Sequence, residues 1–473
     1  MKYSSRKLSI HYLNLLKNSI FAADKILYKK SMKRTLYHSL LEWKNAPDRK
    51  PLILEGARQV GKTWLLQEFG RNEFENLVYV NCHNNPFTNV LFQRDFDIER
   101  IVREVEAKTS QRILAGKTLL FFDEIQEAPQ GIASLKYFCE NARDLHVAVA
   151  GSLLGVTHRP DESYPVGKVD TLKLYPMTFE EFVLATGNEP LAEIVANCDW
   201  TSTEVLSNTL EDLLRQYYYV GGMPEAVLNY VTNKDIFKVR KIQNKIIAAY
   251  ANDMAKHAGK ETERIRMVWK SIPAQLSKEN KKFIYGAVKS GGRARELESA
   301  IQWLVDAGLV YKIHRCKDPQ QPLNFYEDFD AFKLYLLDVG LLGALSKASP
   351  NQMLVSNNVF EEFKGAFTEN YVLQQLVTMD DLDIYYFSKD NSKVEIDFLV
   401  QTERRIIPIE VKAEENVKGK SFSQFVKTDH ADKHLKGLRG SMRPYIDQGW
   451  MENVPLYSIR AFIGKKEGFS HIS

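Results

Sequence analysis

Five short apolar runs constrain the fold of this chain more than any other feature. They are PLILEG (51–56), LVYVN (77–81), TLLFFDE (118–124), HVAVAGS (146–152) and TLKLY (171–175). Helix-like segments separate the first four. Strands that alternate with helices build a parallel sheet covered on both faces. A lead-in helix is expected over 33–45, broken at Asn45-Ala-Pro-Asp. After Pro176, Thr178 and Glu181 have the spacing of a capping box and predict a new helix.

Between the first run and its helix lies GARQVGKT, residues 56–63. This matches the spacing of a phosphate-binding loop, in the strand–loop–helix setting that such a loop needs. Gly56 and Gly61 let the backbone of Ala57, Arg58, Gln59 and Val60 wrap close to phosphate, with amides and the helix N-terminus facing the negative charge. Lys62 is expected to reach the β- and γ-phosphates, and the Thr63 hydroxyl to ligate Mg²⁺. The third run ends in Asp123-Glu124, at the C-terminal edge of the sheet beside the loop. Asp123 is expected to hold Mg²⁺ through its water shell, and Glu124 to orient and polarise the attacking water. Ser152, at the end of the fourth run, is placed either to sense the γ-phosphate or to cap a helix. ATP and Mg²⁺ are the expected ligands, and ATP hydrolysis is the expected reaction.

At 473 residues the chain exceeds one compact core, and about three domains are expected. Net charge is only +4, from 64 basic and 60 acidic residues, so nucleic-acid binding would need a local patch. Cys82, Cys139, Cys198 and Cys316 form no CxxC pair, which argues against a zinc site or disulfide framework and fits a reducing cytoplasm. No run approaches the roughly 18 apolar residues of a membrane span. Lys17, Asn14 and Asn18 interrupt the apolar residues of the first 31, which read as an amphipathic extension rather than a signal peptide; Met32 could itself start the chain.

Residues 180–255 read as mostly helical, interrupted at YVGGMPEA (219–226). From 262 the pattern is three helices, the strand LVYKIHRC, a turn at DPQQP (318–322) and the returning strand FKLYLL (332–337). This predicts a winged helix. Lys278, Lys281, Lys282, Lys289, Arg293 and Arg295 could grip phosphates there. Glu296, Glu298 and Asp306 share the helix over 293–307, a mixed charge that suits packing or a non-specific grip. The polar segment SKASPNQ (346–352) leads into the last domain.

There, VEIDFLV (394–400) and PIEVKA (408–413) read as strands with acids and a lysine at alternate positions. Val394, Ile396, Phe398 and Val400 share one face, leaving Glu395 and Asp397 on the other. Glu410 and Lys412 likewise lie opposite Ile407, Ile409 and Val411. If the strands are neighbours, Asp397, Glu410 and Lys412 converge, either on a metal and a water or as a solvated ion pair.

Seven ordered blocks carry a family resemblance: PLILEGARQVGKTWLL, LLFFDEIQ, LYPMTFEEF, YVGGMPEAV, IPAQLSKENKKFIYG, WLVDAGLVYKI and FKLYLLDVGLL. Over about residues 32–465 the chain resembles a large prokaryotic group of AAA-type ATPases. Members of that group end in a domain similar to restriction endonucleases. The resemblance implies an α/β protein: an extension (1–31), an AAA-type P-loop core (32–180), a helical lid or linker (181–255), a winged helix (256–345) and a PD-(D/E)xK nuclease-like domain (353–473). It implies that Asp397 and Glu410 ligate Mg²⁺, that Lys412 positions or helps deprotonate a water, and that Glu369, on a helix over 360–377, completes the site. The expected function is then an ATP-hydrolysing AAA-type machine whose nuclease-like domain acts on or docks to nucleic acid, with DNA or RNA as a possible partner. The alternative is a regulatory ATP-dependent switch whose inactive nuclease-like domain binds protein. In one departure, Gly167-Lys168 stands where the group commonly has Gly-Arg, so a charge is kept without the guanidinium fork.

Overall fold

The computed structural model describes residues 32–152, 164–278, 281–350, 354, 361–380, 382–389, 394–413 and 420–468. The N-terminal extension, Phe360 and the end of the polar linker lie outside them.

The five apolar runs form strands β1 (Leu52–Glu55), β2 (Asn76–Asn81), β3 (Thr118–Asp123), β4 (His146–Ala150) and β5 (Asp170–Lys173). They pair in the order β2-β3-β4-β1-β5, all parallel. Every residue of β3 and β4 is buried, as a sheet covered on both faces requires. Leu119 and Phe121 pack into one apolar cluster, while Leu120 and Phe122 pack into the other. The capping box forms: Thr178 Oγ1 accepts from the Glu181 amide, and a Glu181 carboxylate oxygen accepts from the Thr178 amide at 3.0 Å.

The helices used below are α1 (Leu36–Asn45), α2 (Lys62–Glu73), α3 (Phe179–Ala185), α4 (Ser207–Val220), α5 (Pro224–Asn233), α6 (Ile236–His257), α7 (Thr262–Leu276), α8 (Ala294–Asp306), α9 (Val339–Leu345) and α10 (Glu361–Leu376). Among the described residues, no helix is long and apolar enough to cross a membrane. All four cysteines are free and buried.

The strands after α8 behave differently from the expectation of separate modules. β6 (Val310–Cys316) and β7 (Glu327–Leu336) make the expected hairpin, but β6 also pairs in parallel with β8 (Asp383–Ser388). With β9 (Glu395–Gln401), β10 (Ile406–Val411), β11 (Gly437–Ser441), β12 (Ile446–Asp447) and β13 (Met451–Pro455) they form one eight-stranded sheet, ordered β12-β13-β11-β10-β9-β8-β6-β7. The hairpin is therefore the edge of the last domain's sheet and not a free wing. A strand's edge has hydrogen-bonding groups to satisfy, and β8 satisfies those of β6.

A buried joint fastens this sheet to the first one. Asp338 caps α9 and accepts hydrogen bonds from the amides of Leu341 (2.9 Å) and Gly222 (2.6 Å) and from Gln374 Nε2 (3.1 Å). Burial pushes its carboxyl up to about 6. Gly221 has φ of 73°, and a Cβ there would meet Asp338 Oδ1 at 2.3 Å. On α10, Gln374 also donates to the Tyr217 hydroxyl at 2.9 Å, and Gln375 accepts from the amide of Phe179 at 2.9 Å. The GG of YVGGMPEA is thus a packing requirement as well as a turn. One apolar cluster runs through the joint, including Leu54, Tyr217, Leu304, Leu373 and Ile463.

Candidate nucleotide site and the C-terminal acids

The loop 56–63 links β1 to α2 at the C-terminal edge of the parallel sheet. Its shape depends on positive φ at Gly56 (137°), Gln59 (69°) and Gly61 (100°). A Cβ on Gly56 would meet Leu174 O at 2.2 Å, so only glycine fits. Lys62 is 7% exposed, and its Nζ donates to the carbonyls of Gly56 (2.6 Å) and Ala57 (2.9 Å). Burial brings this ammonium down to about 8, against the pull of Glu124 and Asp123. The ammonium is thus held inside the loop by two backbone carbonyls, which phosphate oxygens could replace.

Two arginines brace the loop, Arg34 from outside it and Arg58 from within it. Arg34 donates to Val60 O at 2.9 Å and to Glu181 at 3.0 Å, so the segment before α1 ties the loop to the capping box. Arg58 pairs with Asp253 of α6 at 2.5 Å, and the Tyr250 hydroxyl donates to Arg58 O at 2.8 Å. Sequence reading missed Arg34, Tyr250 and Asp253. Their partners lie 26 to 195 residues away, and no local pattern announces them.

Asp123 ends β3 beside the loop. Its Oδ2 accepts from Thr63 Oγ1 (2.9 Å) and from the Tyr79 hydroxyl (3.1 Å), and its Oδ1 from the Glu124 amide (3.1 Å). Burial raises its pKa. Glu124 leaves the strand at φ of 51°, which turns its side chain toward Gln126 Nε2 (2.6 Å) and Ser152 Oγ (3.1 Å). Lys62, Thr63, Asp123, Glu124 and Ser152 are thus brought into one neighbourhood. The Thr63 hydroxyl and the Asp123 carboxylate lie at the spacing of two groups that could face a common cation.

The C-terminal residues are also brought together, but with other partners. β9 and β10 are antiparallel neighbours, with Phe398 opposite Ile409. Just beyond that pair, Asp397 Oδ2 accepts from the Val411 amide at 2.7 Å, which ties Asp397 to the strand that carries Glu410. Glu410 is buried and bound on one oxygen by Arg439 (2.8 Å) and on the other by Lys412 (3.1 Å). Glu369 on α10 is buried, paired with Lys281 and accepting from the Tyr335 hydroxyl at 3.2 Å. Burial would raise the Glu369 carboxyl, but Lys281 and Lys333 bring it below the usual range. Burial and the Glu369 charge push Asp397 up. Among the described residues, no group of three or more His, Cys, Asp or Glu side chains is arranged to hold a metal ion. Lys281 is a correction: expected on a phosphate-gripping surface, it points inward to Glu369. Lys289, Arg293 and Arg295 are exposed.

Comparison with known families fits the geometry of the first sheet. The AAA domain model matches residues 48–183, which carry all five parallel strands, the loop, Asp123 and Glu124. Residues 48–183 are thus similar to an AAA domain. Two further models match, both described as domains of unknown function: DUF8612 over 211–352 and DUF4143 over 364–459. No curated protein matches the chain. Three solved structures illustrate the likenesses found. The Aeropyrum pernix ORC1 protein in complex with DNA is 13% identical, over 66% of this chain and 90% of that one, with a TM-score of 0.25. The Thermotoga maritima RuvB Holliday junction branch migration motor is 14% identical, over 61% and 88%, at 0.28. Cdc6p from Pyrobaculum aerophilum is 12% identical, over 66% and 91%, at 0.24. At these identities and scores the likenesses add no argument to the family match.

Within the AAA domain, Lys168 pairs with Glu140 at 2.9 Å, both side chains partly exposed. That is a surface contact on the helix before β4, and it occupies the ammonium that stands in the place of the group's arginine.

Proposed function

We propose that the chain binds ATP at the loop 56–63 and hydrolyses it. The supporting observation is the meeting of Lys62, Thr63, Asp123 and Glu124 at one sheet edge. Backbone amides of the loop and the Lys62 ammonium bind and orient the phosphates. Thr63 and Asp123 would hold Mg²⁺, which when bound would neutralise charge on the phosphate oxygens. Glu124, turned out of its strand, orients a water and accepts its proton; Ser152 and Gln126 fix the carboxylate that does so. ATP turnover in the presence of Mg²⁺, compared between the native chain and Lys62→Ala, tests this reading. No turnover in the native chain would sink it.

We infer that the C-terminal unit serves for docking, with the molecule acting as an ATP-dependent switch. The observation that favours this is the pairing of Glu410 with Arg439 and Lys412, and of Glu369 with Lys281. Ion-paired carboxylates have spent the charge that a catalytic metal would need. The other reading is metal-dependent cleavage of DNA or RNA, with Glu369, Asp397 and Glu410 as ligands and Lys412 at the water. Incubation with single- and double-stranded DNA and RNA in Mg²⁺ or Mn²⁺ decides between them. Cleavage that Asp397→Ala abolishes would reverse our choice, and ATPase stimulation by one nucleic acid would name the docked partner.

A further inference from the structure

The C-terminal acids are contacted by residues that precede α10 in the chain. Glu369 lies on α10, and Glu395 and Asp397 lie on β9. The groups that meet them come from the preceding segment: Lys281 from the loop between α7 and α8, and Lys333 and Tyr335 from β7. Lys333 is fully buried, binds Glu395 at 2.6 Å and lies over the Tyr386 ring. Its backbone is locked in the sheet, and its ammonium has no route to water. Lys281 is different. Its side chain is 14% exposed, and the residue belongs to no helix or strand.

Charge balance then makes a specific demand. Lys281 pairs with Glu369 and Lys333 with Glu395, while Asp397 accepts from the Val411 amide. Without Lys281, buried Glu369 loses its cation, and a divalent ion would supply the missing positive charge. With Lys281 in place, the ion would meet an ammonium already bound to that carboxylate. We propose that Lys281 is a built-in counter-cation that keeps the Glu369–Asp397 pair closed to divalent metal. The preceding segment thus plugs a latent metal site in the last domain, and removing one side chain unplugs it. This deepens the docking reading, because it states why the acids are inert in the native chain.

The experiment counts Mn²⁺ bound by the full chain without nucleotide, from the electron paramagnetic resonance signal of the free ion. Thr63→Ala in the background silences the nucleotide site, so that site's success or failure does not enter the count. The Lys281→Met variant should bind one Mn²⁺ at least tenfold more tightly than its parent, Lys281→Arg should show no gain, and Lys281→Met with Asp397→Asn should lose the ion. If Lys281→Met melts at a lower temperature, Mn²⁺ should restore the melt. The proposal is overturned if folded Lys281→Met gains no Mn²⁺, if Mn²⁺ fails to restore a lowered melt, or if the parent already binds an ion that Asp397→Asn removes. Failure of ATP binding in a separate titration would sink the ATPase reading and leave this count untouched.

Discussion

Two acid sites in this molecule have similar side chains and opposite surroundings. Asp123 is held by neutral donors, the hydroxyls of Thr63 and Tyr79 and a backbone amide. Glu410 and Glu369 are held by Arg439, Lys412 and Lys281. A hydroxyl orients a carboxylate and leaves its negative charge unspent; an ammonium or guanidinium cancels it. The first arrangement is ready for a cation brought by a ligand, whereas the second already contains its own. The lesson is that the partner of a carboxylate, more than its place in a motif, decides whether it can work with metal.

Four changes probe this contrast, from the largest expected effect to the smallest. Arg439→Met removes one counter-ion of buried Glu410, and chemical denaturation should show a loss of about 3–5 kcal/mol. An unchanged midpoint would mean that Glu410 does not need its guanidinium. Glu124→Gln should slow ATP turnover about 10²-fold, roughly 2.7 kcal/mol, while ATP affinity measured by calorimetry stays within about twofold.

The third change is pH. The free chain holds the Lys62 ammonium at about 8, below its ordinary value, because it is buried. Bound phosphate favours the charged form, so Lys62 is more basic in the complex than in the free chain. Affinity should therefore be flat below about pH 8 and fall above it, by at most about tenfold per pH unit. Calorimetry in two buffers should show proton uptake on binding at pH 9 and little at pH 7.5; no uptake at pH 9 would contradict the burial argument. The fourth change, Lys412→Ala, removes a partly exposed partner from Glu410 and should cost at most about 1 kcal/mol. A loss as large as that of Arg439→Met would make the two cations equivalent.

The strands and the phosphate loop were legible because their signals are local. The loop needs glycine at φ values that only local backbone dictates, and the parallel strands announce themselves as unbroken apolar runs. Alternation in VEIDFLV and PIEVKA also told which face carries Asp397 and Glu410, and the two strands pair as neighbours, with the Val411 amide donating to Asp397. Periodicity names a face but not what covers it. Lys281 meets Glu369 across 88 residues, Arg439 meets Glu410 across 29, and Arg58 meets Asp253 across 195. The same limit explains the hairpin. Three helices and two strands read correctly as elements, yet the pairing of Arg315 and Cys316 with Tyr386 and Phe387 joins β6 to a strand far along the chain. Lys281 illustrates the error most clearly: a lysine in a basic stretch looked like surface charge, and it is the partner of a buried acid.

The central claim is that the hydroxyl-held site takes nucleotide and that Lys62 carries the phosphate charge there. Titration of ATP with Mg²⁺ into the native chain and into Lys62→Ala, followed by calorimetry, tests it most directly. The account predicts one ATP per native chain and an affinity at least about 100-fold weaker in the variant, with both proteins melting as folded chains. Equal ATP affinity in the two proteins would contradict it.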